Sequence, residues 1–224
     1  MSQQKENHTV HSSLAPDSEF TGAVAVDIEC INLVPPPDLA FTDPSHWTVF
    51  AIPIGYRDSE GTIETNVLFR SGTSLCDERK LIDRMLEWVR DRRPAELLTF
   101  NGTVYDEPIL RYRARVSTRE CRGHYNTNDN LELVLDQLTH VDLFPIIKAQ
   151  AGGNVPLESA LAYHEIPDEP TYLNGEEITG ESMPDLGLKI ISGTASNDEL
   201  RAVREYAETD VEPLFALADA VLDK

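Results

Sequence analysis

Two carboxylates stand one residue apart near the N-terminus, in the stretch Val24-Ala-Val-Asp27-Ile-Glu29. The small and β-branched residues before them predict a strand buried on both faces. Because side chains alternate along a strand, Asp27 and Glu29 would share one face, where a hard divalent cation such as Mg²⁺ would offset their repulsion. The alternative is chance, since Asp-x-Glu recurs at 58–60 and 210–212, but only the copy at 27–29 ends an apolar strand.

A third acidic residue, Asp106, follows a strand predicted at 96–100 and the turn signal Asn101-Gly102. This order places Asp106 at a strand-to-helix junction, where open α/β sheets bind their ligands. The competing interpretation is that Asp106 caps the helix that begins near Pro108.

A tyrosine and an aspartate stand four residues apart near the C-terminus. On a helix this spacing places Tyr206 and Asp210 on one face. The competing interpretation is a core contact or a surface pair. The same pattern occurs at Tyr125 and Asp129, but in a segment predicted to be a loop.

Apolar periodicity gives the elements that would position these residues. We predict strands near 22–29, 48–56, 62–70, 96–100 and 140–143, and a small hairpin at 172–178. Helices are predicted near 76–91, 108–116, 144–151, 156–164 and 197–210, with a further apolar stretch that bends near Pro213. The last of these helices would be capped by Asn197 or Asp198, and residues 30–47 and 117–130 would be loops. Three meandering strands followed by alternating helices and strands predict an α/β fold, a mixed sheet with helices on its faces.

Length and composition indicate a single domain at 21–224 after a flexible tail at 1–20. The formal net charge is −20, and only five of the 19 basic residues are Lys. This acidity predicts a halophilic protein that works in a very saline cytoplasm, the alternative being an ordinary acidic protein.

The three Cys are too few and too scattered to predict a disulfide framework or a zinc site, so we expect a reducing cytoplasm. No signal peptide or membrane span is expected.

The three acidic motifs, taken in order, resemble those of the DEDD 3′–5′ exonucleases, in the subtype with Tyr in the third motif. The similarity is strongest to the exonuclease domains of family B DNA polymerases, and it covers residues 22–222. It implies a ribonuclease H-like fold, with three antiparallel strands followed by two parallel strands. The segment His140-Val-Asp142-Leu also looks like a strand between the second and third motifs of these proteins. The related subtype has His where this chain has Glu205.

This resemblance implies that Asp27, Glu29, Asp106 and Asp210 bind two divalent ions, Mg²⁺ or Mn²⁺. Tyr206 would position the attacking water, and Asn101 would contact the strand near its 3′ end. The implied substrate is nucleic acid, DNA or RNA, with a free 3′ end. Two metal ions about 4 Å apart suit phosphodiester hydrolysis, because they activate a nucleophile and stabilise the charge on the leaving oxygen.

Basic residues concentrate in one part of the chain. Residues 84–122 contain nine Arg against six acidic residues. Arg111, Arg113 and Arg115, on or near the helix after Asp106, are candidate phosphate contacts. The alternative is a solvated helix face.

Two other functions remain open from the sequence. A catalytically silent exonuclease-like domain would bind nucleic acid or assemble a complex, although such a domain has no need for four clustered acids. A Mg²⁺-dependent phosphoesterase would act on nucleotides instead.

Overall fold

A computed structural model describes residues 20–121 and 126–222. The strands of the large sheet are β1 Ala23–Val26, β2 Glu29–Asn32, β3 Trp47–Arg57, β4 Ile63–Phe69, β5 Glu96–Thr99 and β6 Thr139–Asp142. The hairpin strands are β7 Tyr172–Leu173 and β8 Glu176–Glu177. The helices are α1 Leu75–Arg92, α2 Asp106–Glu120, α3 Thr127–Gln137, α4 Leu143–Ala151, α5 Leu157–Tyr163, α6 Met183–Ser192, α7 Asn197–Thr209 and α8 Glu212–Leu222, besides a short 3₁₀ turn at Pro44–His46.

The long strand β3 organises the sheet. One of its edges pairs antiparallel with β4, and the other pairs antiparallel with β1 and β2, which lie end to end. β5 then joins β1 in parallel, and β6 joins β5 in parallel. The predicted mixed sheet of three antiparallel strands followed by two parallel strands is therefore confirmed.

The first predicted strand, 22–29, is in fact two strands separated at Asp27 and Ile28. The backbone N–H of Asp27 donates to the carbonyl oxygen of Pro53 on β3 at 3.2 Å. Proline has no N–H to donate in return, so the ladder is interrupted at this point. The break falls between the two carboxylates of the first motif.

Helices cover both faces of the sheet and, among the described residues, enclose three apolar clusters. On one face, α1, α2 and α3 pack Ile82, Ile109 and Leu131 against β1 and β3. On the other face, α4, α5 and α8 pack against β1 and β5, with Phe215 fully buried. On that second face α6 and α7 cover Phe50 and its neighbours in β3 and β4. This packing holds the strand ends that carry the acidic residues.

The structure corrects the bounds of two predicted loops, adds one helix and changes one helix cap. Residues 30–32 belong to β2, so only part of 30–47 is a loop. The supposed loop 117–130 contains the end of α2 and the start of α3, which Asn126 caps through Asp129. Helix α6 was not predicted at all. The cap of α7 is Ser196, because its hydroxyl accepts from the backbone N–H of Glu199 while the Glu199 carboxylate accepts from the backbone N–H of Ser196.

One pair of cysteines forms a disulfide, which their scattered positions in the sequence did not predict. Cys76 at the start of α1 is bonded to Cys121 at the end of α2, across 45 residues, while Cys30 is free and buried. The sequence spacing gave no sign of this pair, because the two residues meet only where α1 packs against α2. With this disulfide, the cysteines of the chain no longer indicate a reducing compartment.

Two predictions fall outside the described residues. The flexible tail was predicted for 1–20, of which the structure describes only Phe20, and Tyr125 of the second Tyr-x-x-x-Asp pattern is not described. None of the helices in the described part of the chain combines the length and the apolarity needed to cross a bilayer.

Candidate metal centre and active site

Four acidic side chains from three separate parts of the chain meet at one end of β1. One carboxylate oxygen each from Asp27, Glu29 and Asp210 lies within 4.8 Å of the others. Asp106 lies beside Asp27, close enough for the two carboxyl groups to share a hydrogen bond when one of them is protonated. Glu29 and Asp106 are buried, whereas Asp27 and Asp210 are half-buried. The structure thus brings together all four predicted carboxylates.

The turn between β5 and α2 positions Asp106. Asn101 adopts a left-handed conformation with φ of 65°, which Asn tolerates better than most residues. Gly102 follows, and a Cβ at that position would lie 2.5 Å from the Cβ of Thr99, so only glycine fits. Asp106 is then the first residue of α2, and the N-cap position is occupied by Tyr105, whose side chain makes no capping hydrogen bond. The interpretation of Asp106 as a helix cap is therefore wrong.

Asp142 at the end of β6 holds this turn in place. Its carboxylate accepts from the backbone N–H of Asn101 at 2.7 Å, and from the backbone N–H and the hydroxyl of Thr103 at 3.1 and 2.6 Å. It also caps α4 through the backbone N–H of Phe144. Asp142 thus fixes the approach of the chain to Asp106 without joining the carboxylate cluster.

Helix α7 supplies the third motif. Tyr206 lies on its last turn and Asp210 is its C-cap, after which Val211 leads into α8. The small hairpin packs on α7, and a Cβ on Gly180 would lie 3.7 Å from the Tyr206 hydroxyl oxygen. Glu205, where the related subtype has His, is exposed and lies within ion-pair distance of Arg201. Tyr206 is therefore the residue of this turn that lies beside the carboxylates.

Burial and mutual repulsion shift the pKa values of the cluster in one direction. Burial raises the pKa of Asp27 to about 6, although its hydrogen bond with Asp106 acts against this rise. Burial, followed by the charges of Asp210, Asp27 and Asp106, raises the pKa of Glu29 well above its usual range. Burial also raises the pKa values of Asp106 and Asp210, with the charge of Asp27 as the next cause for both. The four acids are thus held where their ionised forms are disfavoured unless positive charge is added.

The donor set fits divalent cations. All four ligands are carboxylates, the oxygen donors that Mg²⁺ and Mn²⁺ prefer. Glu29 Oε1 and Asp106 Oδ1 are buried and have no hydrogen-bond partner among the described residues. Buried polar atoms seldom lack a partner, so these two oxygens are suited to be metal ligands.

A pocket of about 330 Å³ opens beside Tyr206 and Asp210. It is lined by α5, by the hairpin and by α7, and it contains the exposed carboxylates of Glu158 and Asp168. The charges of both carboxylates contribute to the raised pKa of Asp210. Nothing in the sequence indicated this pair, since neither residue belongs to a motif or ends a buried strand.

The predicted nucleic-acid contacts lie in different surroundings. Asn101 is half-buried on the turn before Asp106. Arg111 forms ion pairs with Glu107 and Glu132, whereas Arg115 is exposed. Arg113 is buried and paired with Glu78, with Nη2 2.5 Å from Oε2, so it does not stand on an open helix face and its prediction as a nucleic-acid phosphate contact is wrong. The spacing of the arginines along α2 did not reveal that one of them is held by a buried carboxylate.

Known proteins resemble this chain. A family model of the RNase H superfamily matches residues 41–222. DNA polymerase 1 of Pyrococcus abyssi is 28% identical over 128 residues, which cover 51% of this chain and 16% of the polymerase. The DNA polymerase of Thermococcus aggregans is 24% identical over 183 residues, which cover 74% of this chain and 9% of the polymerase.

Among solved structures, the family B DNA polymerase from Pyrobaculum calidifontis is similar, with a TM-score of 0.59 and 18% sequence identity. The match covers 90% of this chain and 24% of the polymerase chain. The chain therefore spans less than a quarter of each of these polymerases. The fold is ribonuclease H-like, and the predicted resemblance to family B DNA polymerases is confirmed. Because the family match covers most of the described residues, the chain belongs to the ribonuclease H superfamily.

Proposed function

We propose that this protein is a metal-dependent 3′–5′ exonuclease that hydrolyses phosphodiester bonds at nucleic-acid 3′ ends. The observation that carries the proposal is the cluster of four carboxylates, three of which bring oxygens within 4.8 Å of one another. A fold gains nothing from packing four acids together without a cation, because desolvation and repulsion both destabilise them. The polymerase relatives are consistent with nucleic acid as the substrate.

Asp27, Glu29, Asp106 and Asp210 would hold two divalent ions, Mg²⁺ or Mn²⁺. When bound, these ions would lower the pKa of an attacking water and neutralise charge on the phosphate. The carboxylates would fix the positions of the ions, and the buried positions of Glu29 and Asp106 would limit the movement of their side chains. Asp142 would hold Asp106 in place, because its carboxylate anchors the turn that precedes Asp106.

Tyr206 would orient the attacking water. Its ring is half-buried on α7, and its hydroxyl faces the pocket beside Asp210. A phenolic hydroxyl both donates and accepts a hydrogen bond, so it can fix a water without taking its proton. Asn101 would contact the strand near its 3′ end from the turn that precedes Asp106. Arg111 and Arg115 would meet phosphates further along the strand, and Arg111 would have to exchange an acidic partner for a phosphate.

A panel of end-labelled oligonucleotides tests this proposal. Single-stranded and duplex DNA and RNA are incubated with Mg²⁺ or Mn²⁺, both at low salt and at molar KCl. We expect 5′-labelled strands to shorten stepwise from the other end, and chelation by EDTA to stop the reaction. Shortening from the 5′ end, or cleavage only of small phosphodiesters such as bis(p-nitrophenyl) phosphate, would contradict the proposal.

The competing function is a silent exonuclease-like domain that binds nucleic acid. It predicts that labelled strands shift in a binding assay but stay intact with either metal. The same preparations therefore separate the two functions, provided that calorimetry shows that Mn²⁺ is bound.

A further inference from the structure

A second concave site lies beyond the carboxylates, at the far end of β2. It is a groove of about 510 Å³ between the start of α1, the middle of α2 and the exposed side of α6. This volume falls in the range of small-molecule sites. The walls are apolar and consist of Ile31, Leu33, Leu75, Val116, Leu188 and Ile191.

The polar residues of the groove include two buried arginines. Arg70 and Arg113 are 4% and 5% exposed, and both lie against the fully buried carboxylate of Glu78. Glu78 also accepts from the hydroxyl of Thr48 at 3.0 Å and from the backbone N–H of Val49 at 2.8 Å. Two guanidinium groups thus share one buried carboxylate, and the charge of Asp77 in the first turn of α1 also acts on Arg70.

The two arginines differ in how fully they are satisfied. Arg70 donates from Nη1 and Nη2 to the Thr48 hydroxyl and to the carbonyl oxygens of Val49, Thr73 and Ser74, but its Nε has no partner among the described residues. Arg113 uses Nε and Nη2 on Glu78 and Thr48. Its Nη1 makes no hydrogen bond within the described part of the chain, although the side chain is almost fully buried. Such donors are usually paired with protein, water or a ligand.

We propose that this groove binds a small oxyanion carried on an apolar body, which is an organic phosphate or an organic carboxylate. The oxyanion would pair with Arg113 Nη1, and the apolar body would lie along the leucine and isoleucine walls. Among the described residues that line the groove none is acidic, although the whole chain carries 39 acidic residues.

The groove is separate from the carboxylate cluster. Asn32 on its wall stands three residues beyond Glu29 on β2, which corresponds to about 10 Å along an extended strand. No metal ligand proposed above lines it. Binding in the groove therefore needs no divalent metal, and its test does not depend on the nuclease proposal.

The test is isothermal titration calorimetry of the full chain in EDTA at constant ionic strength. The probes are phenyl phosphate, benzoate and inorganic phosphate, with benzyl alcohol as the neutral control. We expect one anion per chain, and binding by phenyl phosphate or benzoate about tenfold tighter than by inorganic phosphate, because the ring buries apolar surface. The tighter of the two aromatic anions identifies the headgroup. Binding of neither, or equal binding of benzyl alcohol, would overturn the proposal.

A pair of matched variants locates the site. Leu188 is 51% exposed on the groove wall, and Leu133 is 58% exposed on α3, away from the groove. Leu188→Glu places a carboxylate beside the anion and should weaken binding by about tenfold or more, whereas Leu133→Glu should leave it unchanged. Arg113→Lys keeps the charge but loses Nη1 and should weaken binding as well. If Arg113→Lys does not fold, the leucine pair decides alone, and unchanged affinity in Leu188→Glu would refute the site.

Discussion

At the residue scale, the four clustered acids should make the metal-free protein less stable at neutral pH. The pKa of Asp27 is raised to about 6 from an ordinary value of 3.8, so the folded state holds its proton more tightly than the unfolded state does. Between these two values the free energy of unfolding falls as pH rises, and above pH 6 the loss is complete. A shift of this size corresponds to about 3 kcal/mol for this one residue.

We therefore predict that Asp27→Asn stabilises the metal-free protein above pH 6, by up to about 3 kcal/mol, and removes part of the fall in stability between pH 5 and pH 7.5. The free energy of unfolding in EDTA, measured by urea titration across this range, checks the prediction. Asp136→Asn, at an exposed position on α3, is the control and should follow the wild type. Parallel pH profiles for all three proteins would show that Asp27 ionises freely in the folded state.

The contribution of the Tyr206 hydroxyl to catalysis can be measured separately from the packing of the Tyr206 ring. Tyr206→Phe keeps the packing against the hairpin, so metal affinity and folding should persist. If the hydroxyl orients the water, the rate of end-label release should fall by roughly 10- to 1000-fold. Single-turnover kinetics with saturating Mn²⁺ measure this effect. An unchanged rate would reduce Tyr206 to a packing residue.

At the element scale, the sequence predicted the elements with regular periodicity and missed those that depend on tertiary contacts. The meander, α1 and the parallel strands were predicted because their apolar spacing is clear. The Cys30–Asn32 segment precedes a run of prolines, so it was predicted to be a loop, yet it pairs with β3. The break in the first strand arises from Pro53, which the strand pattern alone does not connect with Asp27.

Helix α6 owes its position to a close approach over the sheet. A Cβ on Gly187 would lie 2.6 Å from Phe50 Cδ1 and 2.9 Å from Ile31 Cγ1. Gly187→Ala should therefore destabilise the protein by about 1–3 kcal/mol, even though alanine favours helices. Chemical unfolding measures the change. Gly153→Ala, at a position with open space around it, is the matched control, and equal effects of both substitutions would refute the close packing of α6.

At the scale of the whole molecule, the net charge of −20 should make stability depend on salt. The Debye length shortens from about 10 Å at 0.1 M to about 3 Å at 1 M, so self-repulsion is nearly screened at molar salt. We predict that the melting midpoint rises between about 0.1 and 2 M KCl and that nuclease activity survives at the top of that range. A flat or falling midpoint, with activity lost above about 0.3 M, would indicate an ordinary acidic protein.

The four carboxylates and Tyr206 were predicted from three short motifs, because strand ends and helical spacing limit where such residues can lie. The surroundings of the site were not predictable in this way. Glu158 and Asp168 reach the pocket beside Asp210 from a helix and a loop that carry no motif. Arg113 was predicted to face phosphates, but the fold turns it toward Glu78, because the burial of one side of α2 depends on its packing against α1.

The measurement that tests the central claim most directly is the release of mononucleotide from a 3′-labelled single strand, with Mn²⁺ and with EDTA. The wild type should release labelled mononucleotide from the first time point, and only with the metal. Asp27→Ala and Asp210→Ala should fold and yet lose this activity, whereas Asp136→Ala should retain it. Release at the wild-type rate by either of the first two variants, or release in EDTA, would show that the carboxylate cluster is not the catalytic centre.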